Sequence, residues 1–251
     1  MAANRDIDRR VTTSVTGAAD IGLEAQNAEL EAYAHTVAHQ LRLPLSGILL
    51  TAQLLDEDCD MLSSDDLHRD LKAIASQALK MSDIIDGLLL LSRIRERPVE
   101  IRPVDMGRIV SEVLNRLAPV IAEYQAEVRL PKSWPKVLGY GPWIEEVWVN
   151  YISNAVKYGG RPPCIELGAS LHPDGKICFT VKDNGQGLKA EDRQHLFLPF
   201  RRIGKSPVDG SGLGLSIVRR MTERLRGHVI VESAEGQGSI FGFALEAAPP
   251  E

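Results

Sequence analysis

Four short stretches of this chain carry residues whose types and spacing could do chemistry. In AHTVAHQLRLPL, His35 and His39 stand four residues apart on one side of a helix, and Pro44 follows where that helix should still be running. A histidine pair at this spacing can ligate zinc, but zinc needs further donors and none is close in sequence. Taken alone, the pair reads as two solvated histidines. In NYISNAVKY, Asn150 and Asn154 share a helix face, with Glu146 one turn earlier. Amide oxygens coordinate Mg2+, and amides also hydrogen-bond phosphate. Lys157 and Tyr158 follow, an ammonium and an aromatic plane. DNGQGL ends a strand with Asp183, followed by Gly185 and Gly187. Such a carboxylate can accept the exocyclic amine of adenine, and the glycines let the backbone approach a ligand. In DGSGLGLSIV, Gly212, Leu213 and Gly214 open into an apolar helix whose first N–H groups favour phosphate. Each stretch alone has a plain structural reading, a surface pair or a turn. Their ordered combination is far more specific.

The elements that must position these residues divide the chain near residue 98. The first twenty or so residues are polar and aperiodic, which predicts a flexible tail over 1–20. Leu30, Ala34, Val37, Leu41, Leu45, Ile48, Ala52 and Leu55 then form a heptad seam with one stutter, and Pro44 falls inside the stutter, where a local bend is expected. His39 lies about 200° around the helix from Val37 and Leu41, so it faces away from the seam. After DEDCDMLSSDD, with Ser63, Ser64 and Asp65 as N-cap residues, a second seam runs through Leu67, Leu71, Ile74, Ala78, Met81, Ile85 and Leu88. Two long helices joined by a short loop make an antiparallel hairpin. Two helices cannot enclose such seams alone, which predicts a homodimer through about residues 24–97.

Beyond the linker RERPVEIRPVD the periodicity changes. Helices are predicted from about Met106 to Tyr124, from Pro142 to Tyr158 and from about Leu213. Strands are predicted near Val128, at Val137–Tyr140, Cys164–Leu171, Lys176–Lys182, His228–Ser233 and Ser239–Leu245, with HPDG as a hairpin turn. Mixed helices and mostly antiparallel strands imply an α/β sandwich with helices layered on one face.

Composition narrows the partners. Hydrophobic residues make up 44% of the 251, enough for a packed core. Lys and Arg number 29 against 34 Asp and Glu, a net charge of −5 that gives no reason to expect nucleic acid or an anionic membrane. Cys59, Cys164 and Cys178 are not spaced as a metal site and read as reduced thiols. The longest apolar run, GLLLL, is too short to span a bilayer, so no membrane segment is expected in this chain.

The motifs together resemble the kinase core of bacterial two-component sensor histidine kinases. AHQLRLPLSGI resembles their phosphoacceptor box, NYISNAVKY the asparagine box, DNGQGL the first glycine box and LFLPFRR the phenylalanine box. GSGLGLSIV and GQGSIF resemble the later glycine boxes. The resemblance covers about residues 24–246. It implies a helical hairpin over 21–97 that dimerises into a four-helix bundle, a linker over 98–104, and an ATP-binding α/β sandwich of the gyrase, chaperone and histidine-kinase type over 105–248. It also implies that His39 is the phosphorylated residue, with Gln40 beside it in the catalytic position, and that ATP and Mg2+ are bound. Asn154 would be the metal ligand, Asn150 would hold the phosphates or their water, and Asp183 would bind adenine. Lys157 and Tyr158 would line the site, and Gly185, Gly187, Gly212, Leu213 and Gly214 would frame it. The segment 201–210, carrying Arg201 and Lys205, would be a lid. The implied reaction moves phosphate from ATP to His39 and then to an aspartate of a response-regulator receiver domain, in the cytoplasm, under an upstream sensor module.

Two readings compete with this one. Hydrolases of the same fold carry a glutamate base four residues before the metal-binding asparagine, and here that position is Asn150, which favours a kinase. A non-catalytic dimeric scaffold that binds nucleotide or a receiver is the other, because two positions depart from the family pattern. The residue after the phosphoacceptor, commonly an acid, is Gln40; the residue four after it, commonly Thr or Asn, is Leu43.

Overall fold

The computed structural model describes residues 34–57, 63–96, 98–201 and 212–249; the expected tail over 1–20 lies outside them. Helix α1 (34–57) continues unbroken across Pro44. Its partly or fully buried stripe is Val37, Leu41, Pro44, Ile48, Thr51 and Leu55, regular heptad steps with no stutter. The expected seam members Leu45 and Ala52 are exposed instead. The proline ring is itself a compact apolar group and takes the buried position, displacing its neighbour Leu45 to the outside. Helix α2 (Ser64–Glu96) begins with Ser63 as N-cap, whose Oγ accepts the N–H of Asp66 at 3.2 Å. Gly47 of α1 lies against the Gln77 side chain of α2, which fixes the facing sides of the pair.

The chain forms two compact units, one ending at Ser82 and the other beginning at Asp83. In the second, the last turns of α2 add Ile94, 1% exposed, to the main core. Helix α3 (Met106–Glu123) is capped by Asp105, which accepts the N–H of Arg108 at 3.0 Å. Then come α4 (Gly141–Tyr158), the short α5 (Ala190–Arg193) and α6 (Gly214–Arg224). Among the described residues the unit has seven strands: β1 (Arg102–Val104), β2 (Glu127–Arg129), β3 (Val137–Gly139), β4 (Cys164–Leu171), β5 (Ile177–Asp183), β6 (His228–Ser233) and β7 (Ser239–Leu245). The main sheet has the order β2-β4-β5-β7-β6; β2 and β4 are parallel and the other pairs antiparallel. β1 and β3 form a separate antiparallel ribbon. β1 occupies the stretch expected to be linker, because a three-residue strand containing Pro103 leaves no periodic signal.

Alternate residues of β4, β5 and β7 face the helices. Ile165, Leu167, Phe179, Val181, Phe243 and Leu245 form one core with Trp148, Tyr151 and Ile152 of α4. Trp148 donates its indole N–H to Met106 Sδ at 3.0 Å and meets Phe243 edge-on. The amphipathic α4 therefore buries one face and leaves Asn150 and Asn154 half-buried at its margin. Among the described residues no helix is long and apolar enough to cross a membrane.

Candidate functional site

The two asparagines are locked together. Asn154 Nδ2 donates to Asn150 Oδ1 at 3.1 Å, the contact expected one turn apart on a helix. This turns the Asn154 oxygen away from Asn150. The Asn150 amide nitrogen lies against Gly214, where any Cβ would collide with it. Glycine at this position lets the start of α6 close onto α4, and the asparagine pair meets the second glycine cluster. Glu146, one turn earlier, is engaged elsewhere: its Oε1 accepts from Arg116 Nη1 of α3 at 2.8 Å.

Asp183 ends β5 and is 7% exposed. Burial pushes its carboxyl above the ordinary value, while the N–H groups of Gly185 and Ser239 pull the other way. Gly185 donates to Asp183 Oδ1 at 2.8 Å and packs against the Tyr158 carbonyl. Gly187 and Gly238 both adopt positive φ, 67° and 76°, and both touch backbone where a Cβ would overlap a carbonyl, Ala234 for the first and Asp183 for the second. Ser233 ties the two loops: its Oγ accepts the N–H of Leu188 and donates to the Gly238 carbonyl, each at 2.9 Å.

Lys157 is half-buried near the end of α4, and Tyr158 is exposed. Leu213 is fully buried, and the carbonyl of the preceding Gly212 accepts the N–H of Phe200 at 2.9 Å. Arg201 is exposed at the near end; Lys205 lies outside the described residues. The structure thus gathers Asn150, Asn154, Tyr158, Asp183, Gly185, Gly187 and Gly214 around one end of the sheet. His39 and Gln40 belong to the other unit; on α1 His39 is exposed and Gln40 half-buried.

One positioning residue escaped the sequence reading. Asn184 Oδ1 accepts the N–H groups of Gly160 (2.9 Å) and Cys164 (2.8 Å), and its Nδ2 donates to the Pro162 carbonyl (3.1 Å). It binds the loop leaving α4 to the loop leaving β5. The available signal was an Asn between a strand-ending Asp and a Gly, a common turn chemistry.

These features fit a nucleotide with its metal. The cleft offers a buried acceptor in Asp183, an amide oxygen from Asn154, and close-packed backbone where side chains are absent. Two protein families match the chain: HisKA, the His Kinase A (phospho-acceptor) domain, over residues 29–97, and HATPase_c, the histidine kinase-, DNA gyrase B- and HSP90-like ATPase, over 139–249. The methanogenesis regulatory histidine kinase FilI of Methanothrix harundinacea is 34% identical over 89% of this chain, and the chain spans 25% of FilI. Full-length ShkA in complex with AMPPNP is 28% identical with a TM-score of 0.59, covering 86% of this chain and 46% of its own. Histidine kinase ThkA in complex with the response regulator TrrA shares the fold, with a TM-score of 0.68 at 18% identity over 86% of this chain and 61% of its own. The chain belongs to the two-component sensor histidine kinase family and comprises the HisKA and HATPase_c regions of its kinase core.

Proposed function

We propose that the chain transfers the γ-phosphoryl group of ATP to His39 and then passes it to an aspartate on the receiver domain of a response regulator. The observation that carries this reading is the convergence of Asn150, Asn154, Asp183 and the start of α6 at one end of the sheet, in a chain whose HisKA region exposes His39. A neutral imidazole nitrogen attacks the γ-phosphorus, the bond to the β-phosphate oxygen breaks, and ADP leaves. Asp183 accepts the adenine amine. Lys157 and Tyr158 line the site, Asn150 holds the phosphates or their water, and Gly185, Gly187, Gly212 and Leu213 frame it. Segment 201–210, with Arg201 and Lys205, covers it as a lid. The Asn154 oxygen is the metal ligand, and Mg2+ bound there supplies charge neutralisation for the transferred group. Asn150 stands where related hydrolases place a glutamate; a neutral amide cannot take a proton from water, so transfer to histidine is favoured over hydrolysis.

The working unit is a homodimer through the helical region, with residues 21–97 as dimerisation and phosphotransfer domain and 105–248 as catalytic domain; 98–104 joins them, its last three residues pairing with β3. The receiver partner follows the ThkA–TrrA precedent. The greater length of FilI supports an upstream sensor module. A cytoplasmic location suits an ATP-dependent reaction and the free thiols of Cys164 and Cys178.

Labelled ATP tests the reading. Asn154→Ala should abolish Mg-ATP binding, whereas His39→Ala should abolish labelling and leave ATP binding intact. Acid-labile phosphate on His39→Ala would overturn the assignment and point to His35.

A further inference from the structure

The end of β5 opposite Asp183 holds a second cluster of chemically capable side chains. The β4–β5 turn carries His172 and Asp174, and β6 opens with His228. His172 Nδ1 is 2.7 Å from Asp174 Oδ1, His228 Nδ1 is 3.6 Å from Asp174 Oδ2, and the imidazole centroids are 4.9 Å apart. Strand order makes this meeting notable. Ser170, Cys178, Ala244 and His228 are register partners on four successive strands, so β4 and β6 stand about 14 Å apart at ~4.8 Å per strand. The turn reaches His228 by folding across the face of β5 and β7 that points away from the helices, where Cys178 and Ala244 are buried.

We propose that His172, Asp174 and His228 bind one divalent transition-metal ion of the zinc class. Two imidazole nitrogens and one carboxylate are a borderline-soft donor set that suits zinc and disfavours Mg2+ or Ca2+, which take oxygen ligands. One donor atom from each residue lies within 4.8 Å of the others. Tetrahedral zinc with bonds of ~2.0–2.1 Å holds its ligands about 3.3 Å apart, so side-chain rotation closes the gap. A water or an outside donor takes the fourth position. The turn is already built to hold the carboxylate: Lys176 N–H donates to Asp174 Oδ1 at 3.0 Å, and Gly175 N–H donates to the His172 carbonyl at 2.9 Å. The three side chains are 31–39% exposed, open enough for an ion to enter. The site is separate from the nucleotide cleft, since β5 runs from Ile177 beside the turn to Asp183 at the cleft, about 20 Å at ~3.3 Å per residue. A bound ion would staple the β4–β5 turn to β6.

Zinc titration of the full chain against a chromophoric chelator tests this, with thermal unfolding followed in parallel. The expected result is one saturable zinc ion per chain that raises the unfolding temperature. That binding should weaken at least ~10-fold in His228→Ala and, separately, in Asp174→Asn, each checked for fold by circular dichroism. It should persist in His35→Ala/His39→Ala, which removes the other histidine pair, and in Cys59→Ser/Cys164→Ser. Unchanged affinity in both cluster variants, or no binding by the wild type at 100-fold molar excess of zinc, would overturn the proposal.

Discussion

Asp183, proposed to accept the adenine amine, would set ligand recognition against stability within one side chain. Its carboxyl is buried and its pKa raised above the ordinary 3.8, so ionisation costs the folded state. That cost is absent below 3.8, grows as pH rises through the raised value, and is complete above it. Asp183→Asn removes it and keeps an oxygen to accept the Gly185 N–H. The amide then turns its NH2 towards the cleft, donor against the donor amine of adenine. We expect ATP binding to weaken by about tenfold or more. Urea unfolding at pH 7 should show a midpoint no lower than wild type, and a smaller fall in stability between pH 4 and pH 7. Gln40 is a second residue-scale case. An amide beside His39 can hold the imidazole tautomer through a hydrogen bond but cannot take a proton, so Gln40→Glu should speed autophosphorylation by ~10-fold or more. Leu43, 57% exposed one turn beyond His39, cannot position a water by hydrogen bonding, which predicts slow loss of receiver phosphate. Single-turnover labelling and a receiver dephosphorylation assay check the two effects. A Gln40→Glu variant no faster than wild type, or rapid receiver dephosphorylation by wild type, would refute this view of the α1 face.

At the scale of elements, the turn between β6 and β7 contains a matched pair of glycines. Gly236 and Gly238 both have positive φ, 79° and 76°. A Cβ on Gly236 would meet open space, whereas one on Gly238 would overlap the Asp183 carbonyl. Gly236→Ala should therefore cost only about 1–2 kcal/mol of backbone strain and leave ATP binding unchanged. Gly238→Ala should cost about 3 kcal/mol or more, because backbone must move, and should weaken ATP binding by displacing Asp183. Urea midpoints and nucleotide titration separate the two. The same elements show what a sequence can reveal. β4, β6 and β7 match their expected bounds because alternation and flanking turn residues mark them. β1 left no trace, since three residues with a proline form a strand only where β3 offers a partner. Asparagine and glycine spacing picked out most of the residues gathered at this end of the sheet, whereas Asn184 acts through contacts twenty or more residues away that no local pattern records. Pro44 was legible as a helix-hostile residue but not as a buried one, because the seam pattern places it between Leu41 and Leu45 rather than on the stripe it occupies.

For the whole molecule, the decisive feature is apolar surface that one chain leaves uncovered. Leu45, Leu49 and Leu54 of α1, and Leu67, Leu71, Ile85 and Leu89 of α2, are 43–55% exposed. On α2, Leu71, Ala78 and Ile85 recur every seven residues, so they form a straight stripe beside the one that faces α1. Covering each large member is worth roughly 1–2 kcal/mol at ~25 cal/mol per Å2. A second copy of the helical pair supplies a matching stripe by symmetry. Leu71→Asp discriminates between roles, because in a single chain the new carboxylate stays in water, while in a dimer it is buried without a partner. We expect Leu71→Asp to be monomeric by light scattering at micromolar concentration, with helix content and ATP binding retained. Ile74→Asp is the contrasting case: one turn from Gln77 on the side that meets α1, it should unfold the hairpin itself. A wild-type monomer at these concentrations, or a Leu71→Asp chain that remains dimeric, would place the dimer contact elsewhere.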